Sequence, residues 1–179
     1  MTVQLSTRPT ADLTAAARRE LRGFLATAYD GHFSDEHWSH ALGGVHVLAT
    51  VDGELAGHAA VVVRQLIAGD ATLRTGFVEA VATDARRRRQ GIGSALMTEV
   101  GRLVAGGFEL GALSASEDGA RLYAAHGWLP WTGPTAALTP DGVVPTPAGS
   151  VHVLRTPATP APLDTAVRLV CDWRRGDLW

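Results

Sequence analysis

Apolar residues follow two different periods along the first half of the chain. Between residues 11 and 29 they recur at the spacing of one helix face, and residues 34–41 form a second short helical segment behind Ser34. Other runs of apolar and β-branched residues are typical of strands. These predicted strands are 3–7, 44–51, 54–67 and 72–83, and Asp52-Gly53 is a strong hairpin turn between two of them. The pattern predicts an antiparallel meander in the middle of the chain.

The second half predicts a β-loop-α-β unit followed by less regular segments. An Arg- and Gly-rich segment at 84–93 precedes helical spacing at 94–105, and a strand follows at 108–114. The remaining predicted segments are a helix at 116–125, an extended stretch at 128–138, a Pro- and Gly-rich loop at 139–149, a strand at 151–156, and a strand or short helix at 163–173. Together these elements predict one α+β domain, residues 1–179, with a mixed sheet.

Composition narrows the class of protein. The chain has 179 residues, 46% hydrophobic and 19% charged, which is ordinary for a globular domain that buries a core. Its formal net charge of −2 argues against a nucleic-acid partner. Because Cys171 is the single cysteine and no signal peptide or apolar span is visible, we expect a cytoplasmic protein without membrane association. The seven histidines show no metal-ligand spacing, so no metal is expected.

One short motif carries a specific chemical prediction. The residues Arg88, Arg89, Gln90, Gly91, Ile92 and Gly93 have the form R-x-x-G-x-G between a predicted strand and a predicted helix. Glycines allow close backbone approach, the opening turn of a helix leaves N–H groups unpaired, and arginines add positive charge, so the motif predicts pyrophosphate binding. A solvated Arg run at a turn is the simpler alternative. The motif is neither a Walker A loop nor a Rossmann fingerprint.

The motif and its neighbours resemble a known family. The strand VEAVATD, the R-x-x-G-x-G motif, a helix, a strand and then LYAAHGW look like the acetyl-coenzyme A core of the GNAT acetyltransferases. The strings GFVEAVA, RLYAAHGWLPWTGPT and CDWRRGDLW resemble aminoglycoside 2'-N-acetyltransferases more narrowly. The resemblance implies an α+β GNAT fold, a mixed, mostly antiparallel twisted sheet flanked by helices, with acetyl-CoA at the splayed central strands. It also implies a homodimer and direct acetyl transfer to the 2'-amine of an aminoglycoside in a ternary complex.

The resemblance also assigns expected roles to single residues. Backbone groups of Val81, Ala82 and Thr83 would hold the pantetheine arm and polarise the acetyl carbonyl, and the residues from Arg88 to Gly93 would hold the pyrophosphate of the cosubstrate acetyl-CoA. Glu79 would be the base, and Tyr123 the acid that protonates the departing thiolate. The alternatives are an exposed strand carboxylate for Glu79 and a packed core ring for Tyr123.

The acceptor is expected to be a polycation, so its site should be acidic. The expected substrate-binding residues are His32, Asp35, Glu79, Ala80, Ser114, Asp177 and Trp179. Ser114 ends a strand and has ordinary strand-end capping as its alternative. His32 and His37 stand where the family pattern has Asp, which Asp35 and Glu36 would offset. The terminal aromatic residues predict a docked C-terminal segment that presents Asp177 and the Trp179 carboxylate.

Three functions remain open at this stage. The leading one is an aminoglycoside 2'-N-acetyltransferase that confers antibiotic resistance. The second is a GNAT N-acetyltransferase for another polyamine or amino sugar. The third is a non-catalytic acetyl-CoA-binding domain, which the presence of Glu79 and Tyr123 argues against.

Overall fold

The structure, a computed structural model, describes residues 2–147 and 149–179. Met1 and Ala148, which belong to the predicted domain 1–179 and, for Ala148, to the predicted loop 139–149, lie outside the described residues. The helices are α1 (Ala15–Ala28), α2 (Asp35–Ala41), α3 (Ile92–Gly107) and α4 (Glu117–Ala125). The strands are β1 (Val3–Pro9), β2 (Val45–Val51), β3 (Glu54–Ala68), β4 (Ala71–Thr83), β5 (Leu110–Ser114), β6 (Leu129–Pro130), β7 (Thr135–Thr139), β8 (Gly142–Thr146), β9 (Val151–Arg155) and β10 (Leu169–Cys171).

The first of two compact units comprises Met1–Val62 and Val78–Val100. In it β1 pairs antiparallel with β2, and β2 pairs antiparallel with β3. Helix α1 begins behind Thr14, whose side chain accepts a hydrogen bond from the Ala17 amide. The buried residues Leu21 and Leu25 of this helix join a core cluster with Ala82 of β4. The last part of β4 is therefore packed against α1.

The second unit comprises Val63–Phe77 and Gly101–Trp179, so β3, β4 and α3 contribute to both units. Its strand order is β6-β9-β5-β4-β3-β10-β7-β8. The pairs β4/β5 and β10/β7 are parallel, whereas β5/β9, β6/β9, β3/β10 and β7/β8 are antiparallel. The β4/β5 ladder is short and joins Thr75–Phe77 to Leu110–Ala112. A mixed, mostly antiparallel sheet was expected, and this topology confirms it.

The expected elements differ from the structure at three places. The predicted loop 139–149 is wrong for Gly142–Thr146, which form β8 and pair with β7. Because β8 is the last strand of the sheet order, Pro145 costs no hydrogen bond to a further strand. Helix α3 begins at Ile92, two residues earlier than its spacing predicts. In the segment 163–173, which was left open between strand and short helix, Leu169–Cys171 form strand β10 and the remaining residues are irregular. Among the described residues, no helix combines the length and apolar character needed to cross a membrane.

Gly57 of β3 allows the start of α3 to pack closely on the sheet. A Cβ atom at this position would lie 2.7 Å from Ile92 Cγ2 and 3.0 Å from Leu96 Cδ1. Both side chains are buried, with at most 1% of their surface exposed, so they have little room to move. The close packing of α3 on the sheet, and with it the position of the first helical turn, requires a residue without a side chain at position 57.

We predict that Gly57→Ala lowers the free energy of unfolding by about 1–3 kcal/mol, because the added methyl overpacks this contact. Gly23→Ala is the matched control. It introduces the same methyl in the exposed middle of α1, where nothing lies within 4 Å, and should raise stability by about 0.5–1 kcal/mol. Urea unfolding of both variants measures the difference, and equal effects would contradict the packing argument.

Candidate active site

Strand β4 leaves regular geometry at Ala80. Its φ of +51° lies in the left-handed region, which residues with a Cβ atom adopt at a cost of about 1–2 kcal/mol. Glu79, Ala80 and Val81 are half-buried, whereas Ala82 is buried in the core cluster. The irregularity therefore falls where the sequence predicts both the base and the first cofactor-binding group.

A buried chain of hydrogen bonds ends on the carbonyl oxygen of Ala80. His58 Nδ1 lies 2.8 Å from this oxygen, His58 Nε2 lies 3.0 Å from His46 Nδ1, and His46 Nε2 lies 2.8 Å from Thr10 Oγ1. Both imidazoles are fully buried. Burial lowers the pKa of His46 to about 4 and that of His58 to about 3, so both rings are neutral at physiological pH.

The next carbonyl along β4 is also held by a side chain. The Tyr29 hydroxyl donates a hydrogen bond of 3.1 Å to the carbonyl oxygen of Val81. Tyr29 follows directly after α1 and packs against the same core cluster as Ala80. Two successive carbonyl groups are thus fixed by contacts from inside the first unit.

The predicted phosphate loop leads directly into α3. The Gly91 carbonyl accepts the first helical hydrogen bond, from the Ala95 amide at 2.9 Å, so the amides of Ile92 and Gly93 lie in the opening turn without an intrahelical acceptor. Gly91 has φ +83° and Arg89 has φ +63°. Ile92 points into the core, which holds the turn in place while its amides can face a ligand.

The four consecutive arginines divide into two pairs. Arg86 binds Asp84 with both its Nε and Nη2 atoms, and Arg87 lies 3.1 Å from Glu54. In contrast, Arg88 and Arg89 form no ion pair within the described part of the chain. The first pair is bound to acidic neighbours within the loop and β3, whereas the second pair is not.

Tyr123 and Ser114 lie in the second unit. The Tyr123 ring is buried and lies edge-on to the Trp128 ring, with 6.5 Å between the ring centroids. Gly119 leaves room for the Tyr123 ring, because a Cβ atom at position 119 would lie 2.8 Å from Tyr123 Cε2. Its hydroxyl has no hydrogen-bond partner among the residues that the structure describes. Burial raises the pKa of Tyr123 to about 12, which keeps the phenol protonated. Ser114 ends β5, is exposed and donates to Ser150 Oγ at 2.9 Å.

The residues at the expected acidic positions have local structural roles. His37 Nδ1 accepts a hydrogen bond from the Ser34 amide and completes a capping box at the start of α2. The Asp35 carboxylate pairs with Arg22 of α1. His32 is exposed in the turn before α2. The negative charge of Asp35 is thus paired with the positive charge of Arg22 in the same unit.

The C-terminal segment is docked, but burial of its aromatic residues is not the cause, because Trp173 has 53% of its surface exposed. Arg64 of β3, with 3% of its surface exposed, donates to the Asp172 carboxylate at 2.7 Å and to the Leu178 carbonyl at 2.7 Å. Its guanidinium lies over the Phe77 ring at 4.7 Å. The Trp179 indole donates to Thr146 Oγ1 at 2.8 Å. These contacts fix the segment that carries Asp177.

Comparison with known proteins gives the family. The profile described as "Acetyltransferase (GNAT) family" matches residues 11–128. A curated aminoglycoside 2'-N-acetyltransferase from Mycolicibacterium fortuitum is 44% identical over 173 residues, which are 95% of this chain and 89% of the relative. The chain belongs to the acetyltransferase (GNAT) family. The acetyltransferase expected from the sequence motifs is thereby confirmed.

Solved structures share the fold of this GNAT chain. The GNAT family N-acetyltransferase YhbS from Escherichia coli, in complex with CoA, matches with a TM-score of 0.62 at 16% identity, over 96% of this chain and 89% of that one. Eis1 from Mycobacterium abscessus matches with a TM-score of 0.61 at 24% identity, over 75% of this chain and 33% of that one. The predicted α+β GNAT fold is confirmed.

Sequence reasoning missed four side chains that shape this site: Tyr29, His46, His58 and Arg64. The three strand residues stand at inward-facing positions of β2 and β3, where polar residues are unusual and need partners. A buried polar residue inside an apolar strand was the signal in the sequence. Their partners lie 12 to 114 positions away along the chain, so the signal did not reveal what they contact.

The buried histidines predict a loss of stability in mild acid. Above about pH 6.5 both rings are neutral in the folded and unfolded states, so they add no pH dependence. Below it the unfolded chain binds protons that the folded chain excludes until pH 4 or lower. The free energy of unfolding should fall by about 1.4 kcal/mol per pH unit for each histidine.

Urea unfolding between pH 7.5 and 5 measures this slope. The variant His58→Asn should lower the slope by about one proton and leave the contribution of His46. Equal slopes in the wild type and the variant would contradict the neutral, buried state of the pair.

Proposed function

We propose that this GNAT transfers the acetyl group of acetyl-CoA directly to the 2'-amine of an aminoglycoside and so confers aminoglycoside resistance. The observation that carries the proposal is the 44% identity, over 95% of the chain, to the aminoglycoside 2'-N-acetyltransferase of Mycolicibacterium fortuitum. The irregular end of β4 beside Glu79 supports it, because acetyl transfer needs backbone donors and a base at one place. Since acetyl-CoA is an intracellular metabolite, the proposal implies action in the cytoplasm.

The proposed cofactor site lies in the first unit. The amides of Ile92 and Gly93, together with the arginines Arg88 and Arg89, fit a pyrophosphate, because the turn offers unpaired donors and the two guanidiniums form no ion pair among the described residues. Gln90 and Gly91 complete the loop. Along β4 the backbone groups of Val81, Ala82 and Thr83 would bind the pantetheine arm. Because Tyr29 occupies the Val81 carbonyl, we assign the Val81 amide as the donor to the thioester.

The division of the arginines gives a test of this cofactor site. The double variant Arg88→Gln/Arg89→Gln should raise the acetyl-CoA dissociation constant about 10-fold, because it removes charge-assisted hydrogen bonds to phosphate. Arg86→Gln is the matched control, since Arg86 binds Asp84. Calorimetry distinguishes the two, and equal effects would show that the loop attracts phosphate by general charge alone.

Bound acetyl-CoA supplies the activated acetyl thioester, and the side chains supply the proton transfers. Glu79 accepts a proton from the acceptor ammonium, through water or directly, which leaves a neutral amine able to attack the acetyl carbon. The Val81 amide stabilises negative charge on the carbonyl oxygen. Tyr123 donates its phenolic proton to the departing CoA thiolate, and the second proton that the attacking nitrogen loses on forming the amide restores the phenol. This last role is supported by a phenol that is protonated and that has no hydrogen-bond partner among the described residues.

Tyr123→Phe should lower kcat by about 10²–10³-fold, within the range typical of a general acid, and leave the acetyl-CoA dissociation constant unchanged. The ring and its contact with Trp128 are retained, so the fold should persist. Pre-steady-state measurement of the chemical step checks the effect. A variant with the wild-type rate for that step would reduce Tyr123 to a packing residue.

The residues that we propose to contact the acceptor occur in each of the two units. Glu79, Ala80, His32 and Asp35 belong to the first unit, and Ser114, Asp177 and Trp179 to the second. Arg64 supports the assignment of Asp177 and Trp179, because it fixes the segment that carries them. For Ala80, the carbonyl oxygen is already bound by His58, so its contribution would come through its remaining backbone and methyl groups.

A second candidate function, acetylation of another polyamine or amino sugar, is favoured by one observation. His32 and His37 replace expected acids, and Asp35 is paired with Arg22, so the first unit offers less negative charge to a polycation than the resemblance implies. A thiol-release assay separates the candidates. It compares aminoglycosides that differ only in having a 2'-amine or a 2'-hydroxyl, with linear polyamines as further acceptors.

The proposed function predicts turnover of the 2'-amino compounds and none of their 2'-hydroxyl partners. Turnover of polyamines alone would favour the second candidate. Stabilisation by acetyl-CoA without turnover of any amine would instead favour the non-catalytic binding domain. Each outcome selects one of the three functions.

We also propose that the protein assembles as a homodimer. The edge strand β8 and its partner β7 expose Leu138, Val143 and Val144, each with 46–47% of its surface accessible. An exposed apolar edge strand is a common site of strand pairing between copies. Light scattering at micromolar concentration would show twice the monomer mass, and a single-chain mass would overturn the proposal.

A further inference from the structure

The hydrogen-bond chain that ends on Ala80 has one possible proton arrangement when both rings are neutral. A carbonyl oxygen only accepts, so His58 Nδ1 carries the proton that it donates to Ala80. His58 Nε2 is then an acceptor, and His46 Nδ1 donates to it. His46 Nε2 is an acceptor in turn, and the Thr10 hydroxyl donates to it at 2.8 Å rather than to the Gly44 carbonyl, which lies 3.2 Å away. The Gly43 amide donates to Thr10 Oγ1 at 3.0 Å and closes the chain.

Peptide geometry transmits this arrangement to Val81. The Ala80 carbonyl and the Val81 amide belong to one planar trans peptide group, so the N–H points opposite to the C=O. Because His58 holds the carbonyl inward, the Val81 N–H must point away from His58. The left-handed conformation of Ala80 costs energy and persists only where its surroundings hold it. The His58 contact is a specific interaction that opposes relaxation of this peptide.

We propose that His58, supported at its Nε2 atom by His46, is a positioning residue that aims the Val81 amide at the acetyl carbonyl. This inference rests on the proposed function in assigning the Val81 amide as the donor to the thioester. Neither histidine touches substrate in this role. Tyr29 acts on the neighbouring peptide, since its bond to the Val81 carbonyl orients the Ala82 amide by the same geometry.

The test compares three variants. His58→Leu removes the donor and should lower kcat about 10- to 100-fold, less than the typical loss of an oxyanion donor itself, with the acceptor KM within about twofold of wild type. His58→Asn places an amide N–H near the former Nδ1 position and should retain most of kcat. Thr75→Val is the matched control, because Thr75 is a fully buried β4 residue whose hydroxyl bonds only within its own strand, and it should keep the wild-type kcat.

Nuclear magnetic resonance supplies a readout that needs neither turnover nor an acceptor. Nitrogen-15 shifts should show both His58 and His46 in the Nδ1–H form in wild type, because the Ala80 carbonyl can only accept. The Val81 amide should shift on addition of acetyl-CoA in wild type and in His58→Asn, but not in His58→Leu. An Nε2–H tautomer in wild type, or an equal Val81 response in all proteins, would overturn the inference.

Kinetic outcomes separate this inference from the proposed function. Equal losses of kcat in His58→Leu and His58→Asn, or an effect confined to KM, would overturn the positioning role. A wild-type enzyme that acetylates no aminoglycoside would overturn the proposed acceptor, while the tautomer and the Val81 response would still decide the role of His58.

Discussion

The peptide group between Ala80 and Val81 is the constraint on which the rest of the site depends. Ala80 adopts a left-handed conformation that alanine does not favour, and its carbonyl is held by His58 inside the first unit. In a regular strand, the amide that follows such a residue would take its place in the hydrogen-bond ladder of the sheet instead. Because α1, β2 and β3 each contribute a group that fixes this region, the core of the unit sets the direction of the proposed oxyanion donor. The residues that pack the core of this unit therefore also orient the proposed oxyanion donor.

In the same unit, the arginines that hold the loop differ from the arginines that we propose to bind the cofactor. Arg86 and Arg87 are neutralised by acidic neighbours, and Gly57 lets α3 approach until its first turn sits beside the end of β4. Arg88 and Arg89 then follow with no ion pair in the described part of the chain. In the second unit, Arg64 holds the C-terminal segment in place through its hydrogen bonds. The buried Arg64 donates to the Asp172 carboxylate and to the carbonyl groups of Asp172 and Leu178, so its role is to hold the chain in place.

Much of the fold could be predicted from periodicity, and the family from short motifs. The strand β8 was missed because Gly142 and Pro145 indicate a loop, and only the sheet order reveals an edge position where proline is tolerated. The left-handed Ala80 could not be predicted, since alanine carries no signal for positive φ. His46 and His58 are polar residues within strands, but the sequence analysis did not single them out, and their shared hydrogen bond depends on the register of β2 and β3. The local sequence pattern predicts elements and motifs, whereas the register between strands determines which polar atoms come into contact.

The central claim is that the Val81 amide polarises the acetyl group while the Ala80 carbonyl stays bound to His58. A crystal structure of the protein with acetyl-CoA tests it most directly. The account predicts a hydrogen bond from the Val81 N–H to the acetyl oxygen, with the distance from His58 Nδ1 to Ala80 O remaining close to the present 2.8 Å. A complex in which this peptide is flipped, with the Ala80 carbonyl facing the cofactor and His58 bound elsewhere, would contradict it.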